Sequence, residues 1–398
     1  MSNKTITAPM GFKASGVACG LKASGKPDVG LLVCDVPAVV AGSFTQNNVK
    51  AAPVQISREH IKSGIARGVV VNSGNANACT GERGLKDAEK MAQLAAIPLG
   101  ISTPDILVAS TGIIGRFLDM EKVADGINRA VAKLAADEPA GMDFLSAIMT
   151  TDTTYKQSYR EFDVSGHTIR IAGVAKGSGM ICPNMATMLS FITTDAKISA
   201  SDLRVQLAQA VSRSFNRITV DGEMSTNDTV LLFASGMAWQ EPLGSAWQSE
   251  FGENLYEVCN ELALAIVADG EGATKVFHVM VTGAKSFTQA HKLARAIAQS
   301  LLVKTAIHGG DPNWGRIISA AGAASVPFNP LHATCSIGNI VVFKDGLGTE
   351  ANLKRLEEIM KQKDIWITLD LGDGEASDVV HSCDLSKGYV DINAFYHT

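Results

Sequence analysis

Residues 176–192 read KGSGMICPNMATMLSFI: a glycine-rich turn with one proline, closing on a short apolar run. Met188 to Ile192 has the length and composition of a strand, and the turn before it punctuates the chain. Similar apolar runs, bounded by Gly, Asn or Asp, occur at Gly30–Cys34, Val69–Val71, Ile106–Ala109, Val230–Phe233, Val276–Val281 and Ile365–Leu371. Phe162–Ile171 alternates around Ser165-Gly166 and predicts a hairpin. Helical spacing marks Ala88–Ala96, Met120–Ala136, Ser201–Ser214, Leu255–Val267, Gln289–Leu302 and Ala351–Lys361. Strands and helices are interleaved throughout, so the expected fold is α/β (α+β), with sheets covered by helices. The polar stretch around Trp239–Gly252 reads as a surface excursion.

The turn has a chemical reading as well. Gly177 and Gly179 reach backbone angles closed to other residues, and Pro183 fixes one more. A peptide bond held in such a turn, Ala186–Thr187, is open to attack by the hydroxyl of the residue that follows it. Amide-to-ester shift and hydrolysis would free Thr187 as a new N-terminus. Its α-amine, with a pKa near ~8 in free peptides, is a general base for its own hydroxyl. Taken alone, however, a Gly-Ser-Gly turn before a strand is simply a turn.

Composition narrows the field. The 398 residues are 46% hydrophobic and 19% charged, enough to bury a sizeable core. A net charge of −5 and the lack of a basic run with interleaved aromatics argue against a nucleic-acid surface. The seven cysteines are scattered and odd in number, which suits a reducing compartment. No secretion-type apolar segment opens the chain and no run approaches ~18 apolar residues, so a soluble cytoplasmic protein is expected. His381-x-Cys383 is the one close His/Cys pair, and no second pair completes a metal site.

Beyond the turn, further blocks stand in order: GFKASGVACGLK (11–22), VVNSGNANACTG (70–81), VASTGIIG (108–115), MTTDT (149–153), TVDGEMSTNDT (219–229), DGEGATK (269–275), DPNWGRI (311–317) and YVDINAFYHT (389–398). Together with the Ala-Thr turn they resemble the ornithine acetyltransferase family of arginine biosynthesis along nearly the whole chain. The resemblance implies stacked β-sheets flanked by helices in a sandwich nicked by autoproteolysis. Residues 1–186 would form an α chain and 187–398 a β chain within one folded body, assembled as α2β2. It implies Thr187 as nucleophile and, with Ala186, as the cleavage point. The Thr111 side chain and the Gly112 amide would form the oxyanion hole. Lys176 and Glu271 would meet the substrate's carboxylate and ammonium, joined by Thr150 (Thr153 being the rival), Asn393 and Thr398. The final YVDINAFYHT alternates and is expected to dock as a strand or segment.

The implied reaction moves acetyl from N2-acetylornithine to glutamate through an acetyl-Thr187 ester, with no metal and no bound cofactor. Acetyl-CoA is a conceivable second donor. Three departures bear on substrate preference: Cys182 where histidine is common, Tyr155 where proline is usual, and Phe395 where an acidic residue is frequent. The rival readings are an N-terminal-nucleophile aminopeptidase or amidase with water as acceptor, and a binding protein that keeps only the fold.

Overall fold

In the computed structural model, which describes residues 3–164, 166–182, 188–239 and 245–395, the chain is mixed α/β with two sheets flanked by helices. Its strands in chain order are β1 (Phe12–Val17), β2 (Val29–Phe44), β3 (Ile65–Asn75), β4 (Ile106–Ile113), β5 (Lys156–Val164), β6 (His167–Lys176), β7 (Leu189–Thr194), β8 (Ile218–Thr219), β9 (Thr229–Ala234), β10 (Val276–Ala284), β11 (Thr334–Ile337), β12 (Ile340–Lys344), β13 (Leu347–Gly348), β14 (Asp364–Asp370) and β15 (Ala376–Cys383). The chain divides into two compact units: Met1–Asn216 with Glu223–Ile266, and Arg217–Gly222 with Val267–Tyr396.

The first unit holds the sheet β4-β3-β2-β9-β7-β6-β5, with β1 also on β2. Successive residues of its strands feed two different cores. Leu32, Val69, Val71 and Leu107 pack with Phe144 and Phe191, whereas Leu31, Val33, Val70 and Val108 pack with Met91, Val123 and Ile127 of the helices Gly81–Leu99 and Met120–Ala132. Burial on both faces explains why these strands read as unbroken apolar runs. The long strand β2 pairs with β1, β3 and β9. Residues 29–33 pair with β3 and 39–44 pair with β9, and the register breaks between Val33 and Ala38, where Pro37 cannot donate to a ladder. β2 thus places the end of β4 and the start of β9 at opposite ends of itself. Yet Asn227, just before β9, donates to the Ser110 carbonyl at 2.8 Å. Such contact requires the sheet to fold over on itself at the β2 break.

The second unit holds the sheet β13-β12-β11-β14-β10-β15-β8. Ile365, Ile367 and Leu369 of β14 alternate into a core shared with the helices Phe287–Gln299, Leu301–Gly309, Trp314–Gly322 and Leu353–Met360.

The expected strands are present, most of them longer than their apolar centres, but the helices differ in extent: Met120–Ala136 ends at Ala132, Ala351–Lys361 shortens to Leu353–Met360, and Gln289–Leu302 is broken at Ser300 into Phe287–Gln299 and Leu301–Gly309. The hairpin forms with Val164 opposite His167, Ser165 itself lying outside the described residues. Three expectations are corrected. Trp239–Gly252 is not all excursion: a helix runs over Ser245–Ala268, and its Trp247 and Phe251 are buried. The segment after Met149 is a bend, so Thr150 and Thr153 cannot be told apart by strand alternation. The C-terminal run is the helix Lys387–Phe395 rather than a strand. Its apolar spacing fits either period over so short a stretch, and the side-chain Nδ2 of Asn393 donates to the Tyr389 carbonyl four residues back at 3.0 Å, a contact helical geometry supplies.

Ala186 and Thr187 lie outside the described residues. The strands around them are informative: Lys176 at the end of β6 is the register partner of Leu189 at the start of β7, and β7 is held between β6 and β9. A cut at Ala186–Thr187 therefore falls in the sequence between two paired strands of one sheet, and the compact units do not coincide with 1–186 and 187–398.

Candidate active site

Thr111 and Gly112 occupy the last turn of pleat of β4, where the parallel pairing with β3 is interrupted by a register shift at Gly74/Asn75. Gly112 has φ 130°, and a Cβ there would stand 2.4 Å from the Gly74 carbonyl carbon. Only glycine fits. Around it, side-chain amides fix the strand end. Ser110 Oγ donates to Asn72 Oδ1 at 2.6 Å, Asn72 Nδ2 to the Asn75 carbonyl at 2.8 Å, and Asn227 Nδ2 to the carbonyls of Ala76 and Ser110 at 2.7 and 2.8 Å. A hydroxyl and an amide at a locked strand end suit donors aimed at a developing oxyanion.

Lys176 ends β6 and is buried, with Nζ 3.4 Å from Thr111 Oγ1. Since an ammonium only donates, Thr111 accepts here and keeps its own proton to give elsewhere. Behind Lys176 stands Asp152. Its Oδ1 accepts from Lys156 Nζ and from the Gly177 amide, both at 2.7 Å, and its Oδ2 accepts from the Thr150 amide at 2.9 Å and lies 4.0 Å from Lys176 Nζ. Burial by itself would raise this carboxyl, but Lys176, Lys156 and the amide donors outweigh it and hold it well below the usual range. Thr151 Oγ1 meets Ser178 Oγ at 2.7 Å, tying the bend to the glycine turn.

Thr111, Lys176, Met188, Leu189, Asn227 and Asp228 line one small pocket, and the Met188 amide donates to Asp228 Oδ1 at 3.1 Å. Met188 is bonded directly to Thr187, so the proposed nucleophile is one residue from a wall of this pocket.

In the second unit, Glu271 follows the helix Ser245–Ala268 on a loop organised by Asp384. That carboxylate accepts from the amides of Thr274 and Lys275 at 2.7 and 2.9 Å, and from Thr274 Oγ1 and His308 Nδ1 at 2.5 and 2.7 Å. Burial raises the Asp384 carboxyl, yet the Thr274 and Lys275 donors and His308 bring it below its ordinary value. Gly272, at φ 70°, runs so close to the helix Lys387–Phe395 that a Cβ would meet the Tyr389 amide nitrogen at 2.3 Å. Across this approach Asn393 Nδ2 donates to Glu271 Oε2 at 2.8 Å. Thr398 lies outside the described residues.

Of the residues singled out from sequence, Thr111, Gly112 and Lys176 are together, Thr150 adjoins them through Asp152, and Glu271 is with Asn393. The residues not singled out are Asp152, Lys156, Asn227 and Asp228. All but Lys156 lie within blocks quoted above, and the i,i+4 spacing of Asp152 and Lys156 was a visible charge pair. Among the described residues no group of three or more His, Cys, Asp or Glu is placed to hold a metal ion, and no helix is long and apolar enough to cross a membrane.

Hydroxyl and amide donors at a strand end, beside a buried lysine and carboxylate, suit acyl chemistry on an anionic substrate. Residues 13–398 match the ArgJ family, and the chain belongs to it. An arginine biosynthesis bifunctional protein of Parasynechococcus marenigrum is 45% identical over 395 residues, covering 99% of this chain and 95% of that protein. A glutamate N-acetyltransferase of Methanocaldococcus jannaschii is 47% identical over 407 residues, covering 99% and 98%. The crystal structure of ornithine acetyltransferase from Mycobacterium tuberculosis, complexed with ornithine, is 37% identical and covers 45% of this chain and 95% of its own, with a TM-score of 0.41.

Proposed function

We propose that the protein transfers acetyl from N2-acetylornithine to glutamate by ping-pong exchange on Thr187. As an ArgJ-family member it is an acyltransferase of arginine biosynthesis. The observation that carries the mechanism is the meeting of Thr111, Lys176 and Met188 at one pocket, a residue away from Thr187. After self-cleavage the Thr187 α-amine takes the hydroxyl proton as Oγ attacks the acetyl carbonyl. The oxyanion is met by the Thr111 hydroxyl and the Gly112 amide, and the proton passes to the departing amine of ornithine. The α-amine of glutamate then attacks the acetyl ester, and Thr187 recovers its proton as N-acetylglutamate leaves. Lys176 serves the substrate α-carboxylate and Glu271 an ammonium. The enzyme acts in the cytoplasm as cleaved α and β fragments in an α2β2 assembly.

The test is ornithine release from N2-acetylornithine by purified, cleaved protein, with and without glutamate, and with acetyl-CoA offered separately as donor. Release that depends on glutamate, with N-acetylglutamate formed in equal amount, is expected. Release unaffected by glutamate would make the protein an amidase.

Thr111→Ala should lower kcat by ~10²- to 10³-fold with a smaller change in KM, since an oxyanion donor acts in the transition state. Steady-state kinetics check this, and near-normal turnover would move the oxyanion hole elsewhere. Glu271→Gln should lower kcat/KM for N2-acetylornithine by about ten- to a hundred-fold, the loss of one charge-assisted contact. Rates must be divided by the cleaved fraction, and an unchanged kcat/KM removes Glu271 from the site.

A further inference from the structure

Lys22 lies beside the same strand end, and none of the roles above uses it. The loop that carries it, between β1 and β2, wraps a fully buried carboxylate. Asp28 Oδ1 accepts from the Cys19 amide at 2.6 Å, and Oδ2 accepts from the amides of Gly20, Leu21 and Lys22 at 3.1, 2.7 and 3.1 Å. Asp28 is spent on backbone, so it fixes where Lys22 stands without pairing its charge. The Lys22 ammonium bonds only a carbonyl, that of Pro27, at 2.6 Å. Among the described residues no carboxylate comes within 4.0 Å of it.

Its place is set by Gly74. A Cβ on Gly74 would stand 3.1 Å from Lys22 Cγ, and Gly74 is the register partner of Gly112 in the oxyanion turn. Burial pushes the Lys22 ammonium down to about 8; Asp28 opposes this and Lys176 adds to it, with Asp152 and Lys26 also within electrostatic reach. A half-buried lysine within electrostatic reach of a second lysine, with no carboxylate among the described residues within 4.0 Å, is costly without a ligand. It becomes favourable when a ligand brings the anion.

The two substrates differ by one anion. N2-acetylornithine carries an α-carboxylate and a side-chain ammonium, whereas glutamate carries two carboxylates. Lys176 accounts for the carboxylate they share. We propose that Lys22 is the acceptor-specificity residue, binding the side-chain carboxylate that glutamate has and N2-acetylornithine lacks. The proposal rests on the acetyl exchange described above and adds the group that selects its acceptor.

The experiment compares wild type, Lys22→Gln and Lys22→Arg as fully cleaved enzymes. Acetyl transfer is measured to glutamate, to glutamine as its neutral isostere, and to hydroxylamine as a small uncharged acceptor that needs no carboxylate site. Lys22→Gln should raise KM for glutamate by at least ~10-fold, the scale of one lost charge-assisted contact, and erase the glutamate-over-glutamine preference. Hydroxylamine-supported release of ornithine should stay within about two-fold of wild type, and Lys22→Arg should restore the preference because it restores the charge. A glutamate-to-glutamine ratio unmoved by Lys22→Gln overturns the proposal. So does an equal loss with hydroxylamine, which would make Lys22 a general structural or donor-side group. Wild type that releases ornithine to hydroxylamine but never to glutamate would instead overturn the exchange reaction itself, before any variant is compared.

Discussion

Thr187→Ala is expected to stay a single uncut chain and to lose acetyl transfer by on the order of 10⁶-fold, the scale on which removal of a covalent nucleophile is felt. One atom accounts for both losses. The Thr187 oxygen is the group that attacks the Ala186 carbonyl during maturation and the acetyl carbonyl during turnover. The α-amine base is also missing in the variant, because no new N-terminus forms. Thr187→Ser keeps the hydroxyl and should both cut and turn over. Denaturing gels resolve cut from uncut chain, and native gel filtration adds a second reading. The wild-type fragments should travel together, since β6 pairs with β7 from Ile171↔Thr194 to Lys176↔Leu189 across the cut. Normal cleavage of Thr187→Ala would assign the cut to an outside protease, and fragments that separate natively would contradict that pairing.

The fold was legible where burial is two-sided. Val69–Val71 and Ile106–Ala109 show as apolar runs because neighbouring residues feed opposite cores, and Val230–Phe233 is likewise buried at every position. Elements with one polar face left no such trace: β11 (TCSI) and β15 (ASDVVHSC) alternate with polar residues and take their identity from the ladders on either side. Nor could the sequence display the fold-over of the first sheet. That depends on a register break in β2, of which Pro37 is the lone local sign. The C-terminal helix was misread because its short run satisfies both periods, and its contact with the Gly272 loop, 115 residues or more away in sequence, decides between them.

The site was legible through blocks rather than through spacing. Thr111, Lys176 and Glu271 stand out by resemblance, while elementary chemistry alone leaves each an ordinary polar residue. What resemblance did not supply is the support behind them. Asn227 and Asp152 touch backbone groups far away in sequence, Asn72 accepts from the Ser110 hydroxyl of the neighbouring strand, and such bonds leave no periodic signature. Asp152 is the most consequential of these, because it joins Lys156, Lys176 and the Gly177 turn.

Asp152→Asn is accordingly expected to destabilise the protein by about 3–5 kcal/mol, the scale of removing the opposite charge from a buried ion pair. Both side chains of the Asp152–Lys156 pair are fully buried, so no water can replace the lost carboxylate at Lys156 Nζ. Removing both charges, in Asp152→Asn/Lys156→Met, should recover most of the stability, because a well-packed apolar side chain can stand in for a buried ion pair. Transfer activity should not recover with it. The double variant still lacks the carboxylate behind Lys176, and Lys176 is the donor to Thr111. The pH dependence follows from the depressed Asp152 carboxyl. A group whose folded pKa lies below its unfolded value, ~3.9 for Asp, contributes its stability in full above that value and loses it as pH falls towards the folded one. Wild-type Tm should therefore fall more steeply than that of the double variant as the pH is lowered below ~4. Calorimetry of the three proteins from neutral pH into that range measures both effects. Asp152→Asn as stable as wild type, or a double variant with full turnover, would reduce Asp152 to a bystander and leave Lys176 positioned by the strand end alone.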